Sequence, residues 1–240
     1  MSDSPAVRPA STVVLLRDSA AGLETLLLRR NKALAFAGGF WVFPGGSLDE
    51  EDMAAGDGDE ERAARIAAAR EAMEECGQQP LPEDMVLLSH WTTPETEKRR
   101  FSTWIYVAPL QADEQVVIDG GEIHDHRWLT VEQALAEHYA GELRILPPTM
   151  VTLSRLSGYR TVAQVLKEEK DTPVPRVLPI LLAHGDTIVA LYEGDAGYEA
   201  ADPALPGPRH RAIMEEGRWR YVYQNVADDI VPLVPQEDGA

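Results

Sequence analysis

One cysteine, Cys76, stands in 240 residues, so no intrachain disulfide is available. No apolar run approaches the roughly 18 residues that a membrane-spanning helix needs, and the opening "MSDSPAVRPA" has neither the basic start nor the apolar stretch of a secretory signal. Basic residues are scarce: 22 Lys plus Arg against 40 Asp plus Glu give a formal charge of −18. That balance repels polyanions and argues against duplex nucleic acid as a partner. No internal repeat appears, and the only biased segment is the acidic "DEEDMAAGDGDEE" (49–61), read as a mobile insertion whose trimming at 53–58 costs little stability. These absences make a cytoplasmic, reduced protein without a membrane segment the expectation. They leave room for a small phosphorylated ligand bridged by a metal.

The length suits one large domain, or one domain with an extension. "STVVLLRD" and "LETLLLRR", separated by "SAAG", read as a strand pair, and "WVF" as a short strand that runs into an open "PGG" loop. From Asp59 to Gly77 the chain lacks Pro and Gly until its end, is rich in Ala and has acids in its first turn, which predicts its strongest helix. Strands are expected at 85–93 and 100–110, and Thr130 reads as the N-cap of a helix, "VEQALAEHYA". Two further helices fall in 145–170, the first begun by prolines. Strands follow at "RVLPILL", "TIVALY" and "RWRYVYQ", whose alternating aromatics read as half-buried structure rather than an adenine platform. Residues 1–145 form the expected core and 146–240 an extension packed on the same domain. The extension covers the core or shapes a cleft, and a homodimer contact is also open.

The segment "AAREAMEECG" (68–77) poses a charge problem. Glu71, Glu74 and Glu75 stand at i, i+3 and i+4, so like charges crowd one helical face. On a helical wheel Ile66, Ala69, Met73 and Cys76 form an opposing apolar stripe expected to pack on the sheet. The preceding "FPGG" turn has few side chains and exposes backbone polar groups. Glutamates beside a glycine carbonyl suit a hard cation, since Mg²⁺ prefers oxygen donors. "HDH" (124–126) has no third ligand at a zinc spacing.

These residues resemble the Nudix box, G-x5-E-x7-R-E-U-x-E-E-x-G-U with U apolar. Arg70, Glu71, Ala72, Glu74, Glu75 and Gly77 match in register, while Gln78 replaces the last apolar residue and about ten residues are inserted between Gly46 and Arg70. Asp52 holds the place of the first Glu when counted from Gly46, and Arg62 holds it when counted back from Arg70, so that glutamate has no secure equivalent. The resemblance implies an α/β fold, a Nudix α/β/α sandwich with a mixed β-sheet, here plus a C-terminal helical and strand extension. It implies hydrolysis of a phosphoanhydride in a nucleoside diphosphate derivative with Mg²⁺ or Mn²⁺. Glu71 and Glu75 would be metal ligands, Glu74 a ligand or base, the Gly46 carbonyl a ligand, and Arg70 an orienting partner for the acids. In this family the base often comes from a later loop, where Glu122 is placed.

The stretches "LLLRRNKALAFAGGFWVFPGG", "HWTTPETEKRRFSTWIYVA" and "RWLTVEQALAEHYAGELRILPP" are similar to the coenzyme A diphosphatase-like branch, particularly its longer peroxisomal type. Leu26, Leu27, Arg30 and Gly39 fit that branch, whereas Asn31 replaces a Ser and Ala35 replaces an Arg that would contact phosphate. Arg30, Arg99 and Arg100 are the candidate substrate-binding cations. The chain ends in "EDGA", not a peroxisomal targeting tripeptide. The expected substrate is coenzyme A or an acyl derivative. ADP-ribose, NADH or another nucleotide is the alternative, and a non-catalytic nucleotide-binding module is the alternative of another class.

Overall fold

The computed structural model describes residues 6–34, 37–110 and 115–236. The apolar opening forms a long hairpin, β1 (Val7–Ser19) paired antiparallel with β2 (Gly22–Arg30). Two short strands follow, β3 (Trp41–Val42) and β4 (Gly45–Ser47), then helices α1 (Glu50–Ala55) and α2 (Glu60–Cys76). Strands β5 (Val86–Thr92), β6 (Arg100–Pro109) and β7 (Ile123–Thr130) complete the N-terminal part, and helices α3 (Val131–Ala140), α4 (Pro147–Leu156) and α5 (Val162–Glu169) come next. The last strands are β8 (Arg176–Val177), β9 (Ile180–His184), β10 (Thr187–Leu191), β11 (Arg209–Glu215) and β12 (Arg218–Gln224).

The main sheet runs β3-β2-β1-β6-β5-β8, with β4 also on β1 and β7 also on β2. β1 lies parallel to β6 and β5 parallel to β8, while the other pairs in this sheet are antiparallel, so it is mixed. Its central strands are apolar without interruption because both faces are buried. Val13, Leu15, Leu26, Leu28, Trp104 and Tyr106 pack on α2. Val14, Leu16, Leu27, Ile105 and Val107 face the opposite cluster, which includes Leu143, Met150, Leu153, Ala190, Tyr192 and Trp219. One core thus spans the expected core and extension, and β8 adds an extension strand to the main sheet. The layers are α2, the mixed sheet, then α3 to α5 with an antiparallel sheet, β12-β11-β10-β9.

Three expectations need correction. The buried side of α2 is Ala63, Ala64, Ala67, Ala68, Ala72 and Cys76, whereas Met73 is 50% exposed and Ile66 only half-buried. Small alanines let the helix approach the sheet closely, a feature that a wheel weighted by side-chain size misses. Segment 49–61 is not a loose insertion. Asp49 caps α1 in a reciprocal capping box with Asp52, Gly56 packs where a Cβ would meet Ala63, and Asp57 pairs with Arg62 at 2.7 Å. Finally, "PGG" is not a loop throughout, since Gly45 and Gly46 pair with Thr12 and Ser11 of β1.

Candidate active site

α2 presents the acids because both its ends are fixed. The Asp59 side chain accepts from Arg62 N–H, and Gly77 closes the helix in the left-handed region at φ 70°. Ala64, Ala68 and Ala72 seat the helix on the sheet, which turns Glu75 inward until it is 5% exposed. β4 runs past this face. A Cβ on Gly46 would collide with the Glu71 carboxylate, and one on Gly45 with the Ser11 carbonyl, so the backbone approaches the acids as only glycine permits.

Glu75 Oε2 accepts from Gly45 N–H at 3.0 Å, and its Oε1 lies 3.9 Å from Arg30 Nη1. Arg30 also pairs with Glu122. Arg70 Nη1 donates to Glu71 at 3.0 Å and to Glu74 at 3.2 Å. Its Nη2 donates to Asp52 at 2.9 Å and to the Ser47 carbonyl at 3.1 Å. Asp52, 3% exposed, is the acid that fixes this guanidinium. In space it stands beside Arg70, at the position the count from Gly46 reaches.

The electrostatics leave the cluster short of positive charge. Burial pushes Glu75 up to about 8, the Gly45 N–H pulls it down, and the neighbouring Glu71 adds to the rise. Glu71 is also raised, by burial against the pull of Arg70, with Glu74 and Glu122 adding repulsion. Arg70 is held well above the ordinary guanidinium value by its hydrogen bond to Asp52.

Among the described residues no three metal-ligating side chains already converge on one point. Glu71 and Glu75 are instead engaged by arginine and backbone N–H groups. Their chemistry still fits a divalent cation: the donors are all oxygens, Gly46 lies against Glu71, and a cation would favour the ionised form of a carboxyl that burial opposes.

Glu71, Glu122, Arg30, Gly45 and Gly46 line a cavity of about 720 Å³. That volume is within the roughly 300–1,000 Å³ usual for small-molecule sites. Apolar residues line much of the rest, from the core (Phe40, Trp91, Ile105) and from the extension (Pro147, Leu181, Trp219), together with Glu97 and hydroxyl side chains such as Thr93, Thr103 and Thr149. Glu74 is more exposed than its neighbours and touches Arg70. Arg99 and Arg100 do not line the cavity. Arg100 is buried with its Nε on the Thr93 carbonyl at 3.2 Å, and Arg99 is exposed. The departure at Ala35 lies outside the described residues. The sequence had not indicated the Gly45 N–H, nor the walls built by β9, β10 and β12, because no local spacing encodes contacts so distant along the chain.

A family model described as the NUDIX domain matches residues 7–148. The chain is 26% identical over 185 residues to putative nudix hydrolase 7 of Caenorhabditis elegans, covering 62% of this chain and 60% of that protein. It is 28% identical over 132 residues to acyl-coenzyme A diphosphatase NUDT19 of Xenopus laevis, covering 52% of this chain and 34% of that protein. It therefore spans 60% and 34% of the lengths of these two relatives. A solved NUDIX hydrolase from Alicyclobacillus acidocaldarius superposes with a TM-score of 0.63 at 23% identity, covering 70% of this chain and 99% of that one, which shows a shared fold.

Proposed function

The chain belongs to the Nudix family, and from that premise we propose that it is a pyrophosphohydrolase acting on the phosphoanhydride of coenzyme A or an acyl-coenzyme A. The products are adenosine 3′,5′-bisphosphate and 4′-phosphopantetheine, acylated where the substrate is. One observation carries this reading: Glu71, Glu122 and Arg30 line the same cavity as a set of apolar side chains that includes Phe40, Leu181 and Trp219. A diphosphate needs the first and a pantetheine arm with its acyl group suits the second. The similarity to a protein named as an acyl-coenzyme A diphosphatase adds support.

Glu71, Glu75 and the Gly46 carbonyl are the residues that would hold Mg²⁺ or Mn²⁺. When bound, such a cation neutralises phosphate oxygens and lowers the pKa of attacking water. Arg30 reaches a phosphate oxygen by exchanging its pairing with Glu122. Glu122, thereby freed, takes the proton from water as oxygen bonds to phosphorus and the bridging P–O bond breaks. Glu74 shares the Arg70 network and is the other acid placed for ligation or proton transfer. Arg70 positions Glu71.

The test is incubation with coenzyme A, acyl-coenzyme A, ADP-ribose, NADH and nucleoside triphosphates under Mg²⁺ or Mn²⁺, with products separated by chromatography. Turnover of the coenzyme A compounds to the two named products supports the proposal. Preferential cleavage of ADP-ribose or NADH, or binding without turnover by the wild type, would overturn it.

A further inference from the structure

The cavity is lined by two parts of the chain that differ in chemistry. Its charged residues, Arg30, Glu71, Glu97 and Glu122, all come from the core. The wall contributed by the extension is almost wholly apolar: Pro147, Pro179, Leu181, Ala190, Tyr192 and Trp219. Ala190 and Tyr192 are 1% exposed, and Trp219 is 5% exposed. The rigidity of this wall is written in its neighbours. Trp219 N–H donates to His138 Nε2 at 2.9 Å, so β12 is pinned to α3. Tyr192 packs edge-on against Trp91 of the main sheet at 5.8 Å between ring centroids. Ala190 pairs with Leu181 across β9 and with Ala212 across β11, in the middle of the smaller sheet.

Water gains little in such a chamber, whereas an aliphatic chain exchanges hydrated surface for apolar contact.

Resting on the substrate reading above, we propose that the C-terminal sheet forms an acyl-chain chamber, and that Ala190 and Leu181 set the length of chain accepted. Ala190 is the small residue of this wall, and it leaves depth that a larger side chain would fill. Leu181, on the neighbouring strand, is the larger residue whose truncation would add depth. The adenosine end of the substrate lies on the far side of the diphosphate from the acyl group, so it does not compete for this chamber.

The experiment compares kcat/KM for free coenzyme A and its acetyl, octanoyl and palmitoyl thioesters in the wild type, Ala190→Leu and Leu181→Ala. Thermal melting of each variant reports folding. One added or removed methylene-scale group in an apolar pocket shifts discrimination by about tenfold or more. The ratio of octanoyl to free coenzyme A is therefore expected to fall about tenfold in Ala190→Leu. The ratio of palmitoyl to octanoyl is expected to rise in Leu181→Ala. The second variant keeps the idea testable if the first fails to fold. Coenzyme A compounds cleaved with both ratios unmoved would overturn the chamber and leave the substrate reading standing. No cleavage of any coenzyme A compound beside cleavage of another nucleotide would overturn the substrate reading, and the chamber with it.

Discussion

In the loop between β10 and β11 of the C-terminal sheet, Asp195 has no oxygen left to offer. Its Oδ1 accepts from Arg211 Nη2 at 2.6 Å and Gly197 N–H at 2.9 Å, and its Oδ2 accepts from Arg211 Nε at 2.7 Å and His210 N–H at 2.9 Å. On α2, Glu75 is about as deeply buried, yet it receives one N–H bond and a distant Arg30 at 3.9 Å, with Glu71 and Glu122 close enough to repel it. Burial acts upward on both carboxyls. In Asp195 the Arg211 and N–H partners outweigh it and hold the pKa below the ordinary range, while in Glu75 they do not and it rises to about 8. The first arrangement is closed, a pair that braces a strand edge and asks for nothing more. The second is under-paired, beside the Glu71 that lines the cavity, and short of one positive charge. Buried acid alone therefore does not distinguish the candidate site; unmet demand does.

The widest separation between the two regions is expected in activity. Glu75→Gln should lower kcat by more than the roughly 10–100-fold typical of residues that merely support a metal ligand, while the melting temperature stays level or rises because a buried, repelled charge is gone. Turnover within a factor of a few of the wild type would break the contrast. The reverse pattern belongs to Arg211→Met. Leaving Asp195 buried beside no cation should cost about 3–5 kcal/mol in denaturant unfolding, with kcat per folded molecule nearly unchanged. A stable Arg211→Met protein would show that the closed pair is dispensable.

A smaller effect is expected at the joint between these two behaviours. Asp52 is buried and paired like Asp195, but its partner is Arg70, which in turn holds Glu71. Asp52→Asn should keep the α1 capping hydrogen bond and loosen Arg70, lowering kcat by about 10–100-fold. Asp52→Glu should restore much of the loss, since it returns a carboxylate within reach. Equal loss in both variants, tracked by melting temperature, would reduce Asp52 to a structural acid.

Much of this was legible in the chain and some was not, for physical reasons. Helix α2, its caps and its three glutamates follow from local propensity and an i, i+3, i+4 spacing. Thr130 at the start of α3 and the prolines opening α4 are equally local signals. Strand β11 was missed because "RHRAIME" opens with three basic residues, of which His210 and Arg211 are buried through Asp195, 15 and 16 residues away along the chain. Arg100 misled in the same way. Its charge suggested substrate, and its burial against the Thr93 carbonyl gives it a structural task. In each case the deciding partner lies outside any local window. The cavity is the extreme example, since its apolar wall exists only where β9, β10 and β12 meet the main sheet.

The mildest test concerns pH. Because the folded pKa of Asp195 is depressed, its stabilising contribution is fully present above the ordinary aspartate value of about 3.9 and is lost as pH falls through the lower folded value. Its slope in stability is thus confined to acid conditions. Melting curves of the wild type and of Asp195→Asn should run roughly parallel from neutral pH down to about 5, the variant lying lower, and then converge below about 4, where the wild type has lost what the variant never had. Glu71 and Glu75 work in the opposite sense, since a raised folded pKa favours the fold at lower pH and that advantage declines as pH rises toward the folded value. Repeating the scan in Glu75→Gln therefore separates the two regions by sign: removing Glu75 should flatten the decline between about pH 5 and 8 and leave the acid limb to Asp195. Curves for Asp195→Asn that diverge from the wild type as pH falls would mean that the closed pair is not the group losing its charge there.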